Sequence, residues 1–199
     1  MKKVAITGGI GSGKTRVCNL LQEKGYPVYP SDEKAKYLMV HDEGLRAKLI
    51  ALLGSEAYLV SNDGQVPKLN KAFISSAIFE DSSMKTRLES LVHPVVREDF
   101  EKWSTEQASS VVFHESALVL LTEYYLQFEA VVLVHAPESI RVERVMKRDG
   151  VSREAVLKRI QSQPIYEELI ERATYLIDNS GVISLEDQVL ALLEDLNKT

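Results

Sequence analysis

The sequence predicts a three-layer α/β domain: a parallel sheet between layers of helices, with a helical segment inserted into it. Three observations predict it. The chain opens with an apolar run, a glycine-rich turn, a helical pattern and a second short apolar run. Later apolar runs are short and rich in β-branched or aromatic residues, as strands covered on both faces are. Finally, 199 residues, 45% hydrophobic and 27% charged, suit one globular domain. At that length roughly 70% of the unfolded surface can be buried, so the core needs no disulfide or metal to hold it.

The elements follow in order. Val4 to Thr7 reads as a buried strand ending at Gly8-Gly9. From Gly13 the period changes: Val17, Leu20 and Leu21 share one helical face, and Gly25 is the stop signal. Tyr26 to Tyr29 gives a second strand closed by Pro30. Val111-Val112-Phe113, Ala130 to Val134 and Tyr175-Leu176-Ile177 give three more. Between Asp32 and Gln107 the only strand signal is Tyr58-Leu59-Val60. The remainder reads as helical, with a turn at Asn62-Asp63-Gly64 and a break at Pro94. A helical insertion is therefore expected at about residues 33–108. A second helical, charge-rich stretch runs from Pro137 to about Arg172. Ser184 caps a last helix with Leu185, Val189, Leu192 and Leu196 on one side.

Composition excludes several function classes. Lys and Arg number 24 against 29 Asp and Glu, a net charge of −5. A binder of the nucleic-acid backbone should be basic, so no nucleic-acid partner is expected. The single cysteine, Cys18, makes no internal disulfide and fits a reducing compartment. The apolar run near Met1 is too short for a signal peptide, and no stretch of about 20 apolar residues could span a membrane. The expectation is a cytoplasmic protein with no membrane partner.

Chemistry enters with Gly8-Gly9-Ile10-Gly11-Ser12-Gly13-Lys14-Thr15, which fits G-x-x-x-x-G-K-[ST] between a strand and a helix. Gly8, Gly11 and Gly13 let successive N–H groups curl around a phosphate, and the helix start adds its positive dipole end. In that pattern Lys14 reaches the β/γ oxygens and the Thr15 hydroxyl coordinates Mg²⁺, with Ser12 and Arg16 as further ATP-side candidates. A GTPase should also carry N-K-x-D. Asn70-Lys71-Ala72-Phe73 and Asn197-Lys198 lack the Asp, so a small-molecule kinase leads. Asp32, expected in a loop after the second strand that faces the phosphate loop, can accept the proton of an attacking hydroxyl, or it can cap the following helix. Glu115 ends the third strand where a carboxylate can hold Mg²⁺ through water; His114 has no assigned role. Arg144 and Arg148 share a helix face and could aim at ATP phosphates, or pair with Glu143 and Glu154. Cys18 reads as a packing residue.

The run Ile6 to Thr15, then Gly25 to Asp32, resembles the dephospho-CoA kinase family. Further matches follow in family order: Asp63-Gly64, Leu69-Asn70-Lys71, Phe79, Leu88-Glu89-Ser90-Leu91-Val92-His93-Pro94, Arg144 to Gly150, Arg159 to Gln163, and Ile177-Asp178-Asn179. The resemblance implies a P-loop kinase with a helical CoA-binding part and a lid at about 138–172. It implies transfer of the γ-phosphoryl group of MgATP to the ribose 3′-hydroxyl of dephospho-CoA. Lys14, Asp32 and Arg148 would be catalytic, Asn179 would approach adenine, and Lys71, His93 and Arg97 would bind the acceptor. Pro30 stands for the first Asp of the family's D-x-D, and Ala117 and Leu121 replace the Pro and Glu of P-L-L-F-E. Arg141 stands for a Gln and Thr174 for an Asp. A P-loop kinase for a nucleoside, shikimate or gluconate is the alternative, and a non-catalytic nucleotide-binding protein a further one.

Overall fold

Alternate residues of each buried strand serve opposite faces of one sheet, and that period of two organises the molecule. The computed structural model describes residues 1–59, 67–163 and 166–198. In chain order the elements are β1 (Lys2–Thr7), α1 (Lys14–Glu23), β2 (Val28–Pro30), α2 (Ser31–His41) and α3 (Glu43–Leu53). Two-residue strands β3 (Tyr58–Leu59) and β4 (Lys68–Leu69) precede α4 (Lys71–Glu80) and α5 (Ser82–Thr105). Then come β5 (Val111–Glu115), β6 (Ala130–His135), α6 (Glu138–Asp149), α7 (Arg153–Gln161), β7 (Tyr175–Asp178) and α8 (Leu185–Lys198). The chain divides into two units, Met1–Pro30 with Gln107–Thr199, and Ser31–Glu106.

The first unit holds a five-stranded parallel sheet in the order β2-β5-β1-β6-β7. Val4 stands opposite Phe113 and Ala130, and Ile6 opposite Glu115 and Val132. The order reverses at β1, and at such a switch point the loops at the carboxyl ends of the strands form the ligand crevice. Val4, Ile6, Phe113 and Val132 face one way and pack with Val17 and Leu21 of α1 and Val189 and Leu192 of α8. Their alternates turn the other way: His114 lies over the ring of Tyr29 at 5.6 Å and meets Phe128 at 5.2 Å. This is the three-layer α/β fold that the sequence predicts.

The second unit is helical. α2, α3 and α5 pack on one another around Met39, Leu45, Leu49, Val92, Val96 and Phe100. Its helix starts follow capping rules: Asp42 Oδ1 accepts from the Leu45 N–H at 2.6 Å, and Asn70 Oδ1 from the Phe73 N–H at 3.2 Å. The strand signal at Tyr58-Leu59 is real but minor, pairing antiparallel with β4, which the sequence reading did not find. The expected turn at Asn62-Asp63-Gly64 lies outside the described residues.

Three expectations need correction. Pro94 does not break a helix: α5 runs from Ser82 to Thr105 through it. An interior proline costs about 3 kcal/mol. Val92, Val96 and Phe100, at helical spacing and buried on one face, each contribute about 1.5–3 kcal/mol, while Pro94 sits on the exposed side. The stripe wins. The second strand begins at Val28 rather than Tyr26. And Asp32 does not lie in a loop, because α2 starts at Ser31, directly after β2. Among the described residues, no helix is long and apolar enough to cross a membrane.

Candidate active site at the phosphate loop

β1 delivers the chain into residues 8–15, and α1 carries it away from Lys14. Glycine is required here by space and by conformation. Gly11 and Gly13 have φ of 76° and 101°, in the left-handed region that disfavours other residues. A β-carbon on Gly8 would collide with the Val134 carbonyl, and one on Gly11 would stand 2.6 Å from the Arg141 carbonyl oxygen. Gly9 has no such backbone demand, yet a β-carbon there would lie 2.5 Å from Arg141 Nη2. The Lys14 ammonium arches back and donates to the Gly8 carbonyl at 2.7 Å, so its charge lies across the loop. Ser12 is 1% exposed and its hydroxyl has no partner among the described residues.

Side chains from later in the chain grip the loop from outside. Arg141 Nε donates to the Ile10 carbonyl at 3.0 Å, and the Ile10 N–H donates to Gln163 Oε1 at 2.8 Å. Asn179 Nδ2 donates to the Ser12 carbonyl at 2.7 Å. Arg144 Nη1 adds long contacts to the Gly11 and Ser12 carbonyls, 3.5 and 3.4 Å, while its Nη2 donates to the Asn179 carbonyl at 2.9 Å. In a trans peptide the C=O and N–H point opposite ways. Carbonyls held outward therefore leave the Gly11 and Gly13 N–H groups turned inward, and neither has a protein acceptor among the described residues. With the positive dipole end at the start of α1, this makes a cradle for an anion.

Glu115 closes β5 beside Ile6. Its charge and that of Lys14 both act on Cys18. Burial pushes the Cys18 thiol up to about 12, Glu115 adds to the rise, and Lys14 opposes it. A thiol so raised is an inert packing group. Thr15 and Arg16 are exposed on the first turn of α1.

The other predicted residues fall into two groups. Arg148 is exposed and gives a bidentate pair to Asp149, at 2.7 and 3.2 Å, and Arg159 joins the same carboxylate at 2.7 Å. Arg144 and Arg148 thus share a helix but hold different partners. Asp32, Lys71, His93 and Arg97 belong to the second unit. Within it, Asp32, Glu89 and Arg97 lie close enough to His93 to act on its titration. Burial holds the His93 imidazole below its ordinary 6.5, and Arg97 adds to that, against Glu89 and Asp32. Lys71 begins α4, after the Asn70 cap.

Sequence reasoning missed Arg141, Gln163 and Tyr166. Arg141 lies one turn before Arg144 on α6 and Gln163 closes a run that matches the family, but neither spacing names Ile10 as a partner, and Tyr166 carries no local signal. Tyr166 donates its hydroxyl to the Ala117 carbonyl at 2.8 Å, an acceptor that Thr7 Oγ1 shares at 3.3 Å. Position 117 thus works through its backbone. Thr174 Oγ1 accepts from the Val131 N–H at 3.0 Å, and the Thr174 N–H donates to the Val131 carbonyl at 2.8 Å, extending the β6–β7 ladder. Pro30 ends an edge strand, where a missing N–H is tolerated.

Comparisons with known proteins agree with this architecture. The dephospho-CoA kinase family model matches residues 2–184. The chain is 37% identical over 192 residues to a dephospho-CoA kinase of Bacteroides fragilis, covering 96% of this chain and 91% of that protein. It is 35% identical over 195 residues to one of Porphyromonas gingivalis, covering 98% and 94%. A crystal structure from Thermus thermophilus superposes with a TM-score of 0.82 at 34% identity, covering 99% of this chain and 97% of that one. A shikimate kinase from Acinetobacter baumannii, at 17% identity and a TM-score of 0.53, covering 100% and 94%, shares the fold. A phosphate loop gripped by side chains from three later stretches of the chain, on a match that spans both units, leads to one assignment: the chain belongs to the dephospho-CoA kinase family.

Proposed function

We propose that the protein transfers the γ-phosphoryl group of ATP to the ribose 3′-hydroxyl of dephospho-CoA, giving coenzyme A and ADP. The observation that carries the reading is the family match over residues 2–184, which takes in the phosphate loop and the helical unit alike. Gly8 and Gly11 to Thr15 hold the ATP phosphates with main-chain N–H groups, the Lys14 ammonium and the start of α1. Phosphoryl transfer needs chiefly positioning and charge neutralisation, and these groups supply both before the reaction begins. Asp32 accepts the proton of the attacking hydroxyl; Arg148, released from Asp149, neutralises charge on the transferring group. Lys71, His93 and Arg97 bind the acceptor in the helical unit. Residues 138–172 act as a lid that excludes water from the reacting phosphate.

The donor set fits Mg²⁺. The described residues contain no group of three His, Cys, Asp or Glu able to hold a metal alone. Mg²⁺ suits such a site because it keeps several waters and binds through one or two protein oxygens and substrate phosphates. The Thr15 hydroxyl and Glu115, through water, would hold it, and when bound it would supply positive charge to offset that of the ATP phosphates. A reducing, cytoplasmic setting accords with the lone buried thiol of Cys18.

The test is ADP release measured over a panel of acceptors: dephospho-CoA, shikimate, gluconate and a nucleoside. Only dephospho-CoA should stimulate ATP consumption, and stimulation by another acceptor in its place would refute the assignment.

A further inference from the structure

Arg141 is an unusual guanidinium. It is 6% exposed, and its Nε–H donates to a main-chain carbonyl, that of Ile10, at 3.0 Å. The Ile10 carbonyl and the Gly11 N–H belong to one peptide group, and no peptide bond among the described residues is cis. Whatever fixes the Ile10 oxygen fixes the direction of the Gly11 N–H, to the opposite side. The preceding peptide is fixed as well: the Gly9 carbonyl accepts from the Ser12 N–H at 3.1 Å, and the Ile10 N–H donates to Gln163 Oε1 at 2.8 Å. Gly11 has φ of 76°, and glycine has no Cβ to restrict rotation there. Beyond that turn bond within the loop, contacts from outside it hold this stretch of chain in one orientation.

We propose that Arg141 is a positioning residue of the phosphate loop: through the Ile10 carbonyl it aims the Gly11 N–H at the ATP phosphates, with Gln163 securing the adjoining peptide. The proposal rests on the reading of residues 8–15 as the ATP-phosphate loop. Arg141 acts through its hydrogen bond rather than through its charge. The space left at Gly9 agrees, since a β-carbon there would lie 2.5 Å from Arg141 Nη2 and would push the guanidinium off its acceptor. A free loop samples many orientations, so the bound one is a small fraction of them; fixing it in advance removes that loss from binding.

The experiment compares Arg141→Met, which removes the donor, with Arg141→Gln, which keeps an N–H donor but no charge. Calorimetric affinities for ADP and for inorganic pyrophosphate are read without magnesium, alongside KM for ATP and for dephospho-CoA. Arg141→Met should weaken ADP and pyrophosphate about tenfold and raise KM for ATP similarly, leaving KM for dephospho-CoA unchanged. Arg141→Gln should restore affinity to within about threefold. If both variants lose equally, charge and not orientation is the cause, and the proposal fails. Unchanged affinity in Arg141→Met would overturn it too. Should Arg141→Met unfold, Gln163→Leu against Gln163→Glu asks the same question of the adjoining peptide: the first should weaken ADP and the second, which keeps the acceptor, should not. Wild-type protein that binds neither ADP nor pyrophosphate would instead overturn the reading of the loop itself.

Discussion

Replacing Asn179 with Ala removes two hydrogen bonds, the short one to the Ser12 carbonyl and a long one from Arg144 Nη2 to Asn179 Oδ1 at 3.4 Å, and should be felt at two places. Asn179 Nδ2 donates to the Ser12 carbonyl at 2.7 Å, and the residue is 9% exposed. After the change, among the described residues, that oxygen keeps only the long contact from Arg144 Nη1 at 3.4 Å. Leaving a buried carbonyl short of its partner costs about 1–3 kcal/mol, and the Arg144 contact argues for the lower part of that range. Melting temperature should fall by roughly 2–4 °C for each kcal/mol lost in a domain of this size. The second effect is on binding. The Ser12 carbonyl and the Gly13 N–H form one peptide, so freeing the oxygen frees a phosphate donor. A loss of about 1–2 kcal/mol weakens ADP some five- to thirtyfold. Titration calorimetry with ADP and with inorganic pyrophosphate is the assay, and both should weaken in parallel. If ADP weakens while pyrophosphate does not, Asn179 touches adenine and does not orient the loop. If melting alone changes, the contact is only structural.

Other outcomes follow from the same geometry. Lys14→Ala should lower kcat by on the order of a hundredfold or more, read by steady-state ADP release, since its ammonium lies across the loop. Asp32→Asn should cut kcat strongly and leave ADP affinity nearly intact; near-normal turnover would reduce Asp32 to a residue that merely favours the first turn of α2. Cys18 should resist alkylation at pH 8 in the folded protein and react once urea unfolds it, because burial pushes its pKa up to about 12. Ionisation then begins in the unfolded chain, near 9, before it begins in the fold. Stability from this group is present below pH 9 and lost as pH rises toward about 12, so Cys18→Ala should flatten urea-unfolding stability between pH 8 and 10.

The sheet was legible because its signal is local. Runs such as Val111-Val112-Phe113 and Ala130 to Val134 have nothing polar to expose, and the G-x-x-x-x-G-K-[ST] spacing dictates a strand before it and a helix after it. Pro94 misled because a local breaker competes with a buried stripe that only the tertiary fold reveals. Asp32 misled because nothing in Pro30-Ser31-Asp32 says that helix follows strand without a connecting loop. The contacts of Arg141 and Gln163 with the loop could not be read for a different reason. Each meets Ile10 across more than a hundred residues of sequence, and a side chain that bonds a distant backbone leaves no spacing to read. At position 141, where the family resemblance leads one to expect Gln, the side-chain N–H still has an acceptor to find in the Ile10 carbonyl.

The most direct measurement is phosphorus NMR of the reaction of the wild-type protein with ATP, Mg²⁺ and dephospho-CoA. A new phosphomonoester on the ribose 3′ oxygen, appearing in step with ADP, is the predicted result. Inorganic phosphate in its place, or ATP left unconsumed, would contradict the account.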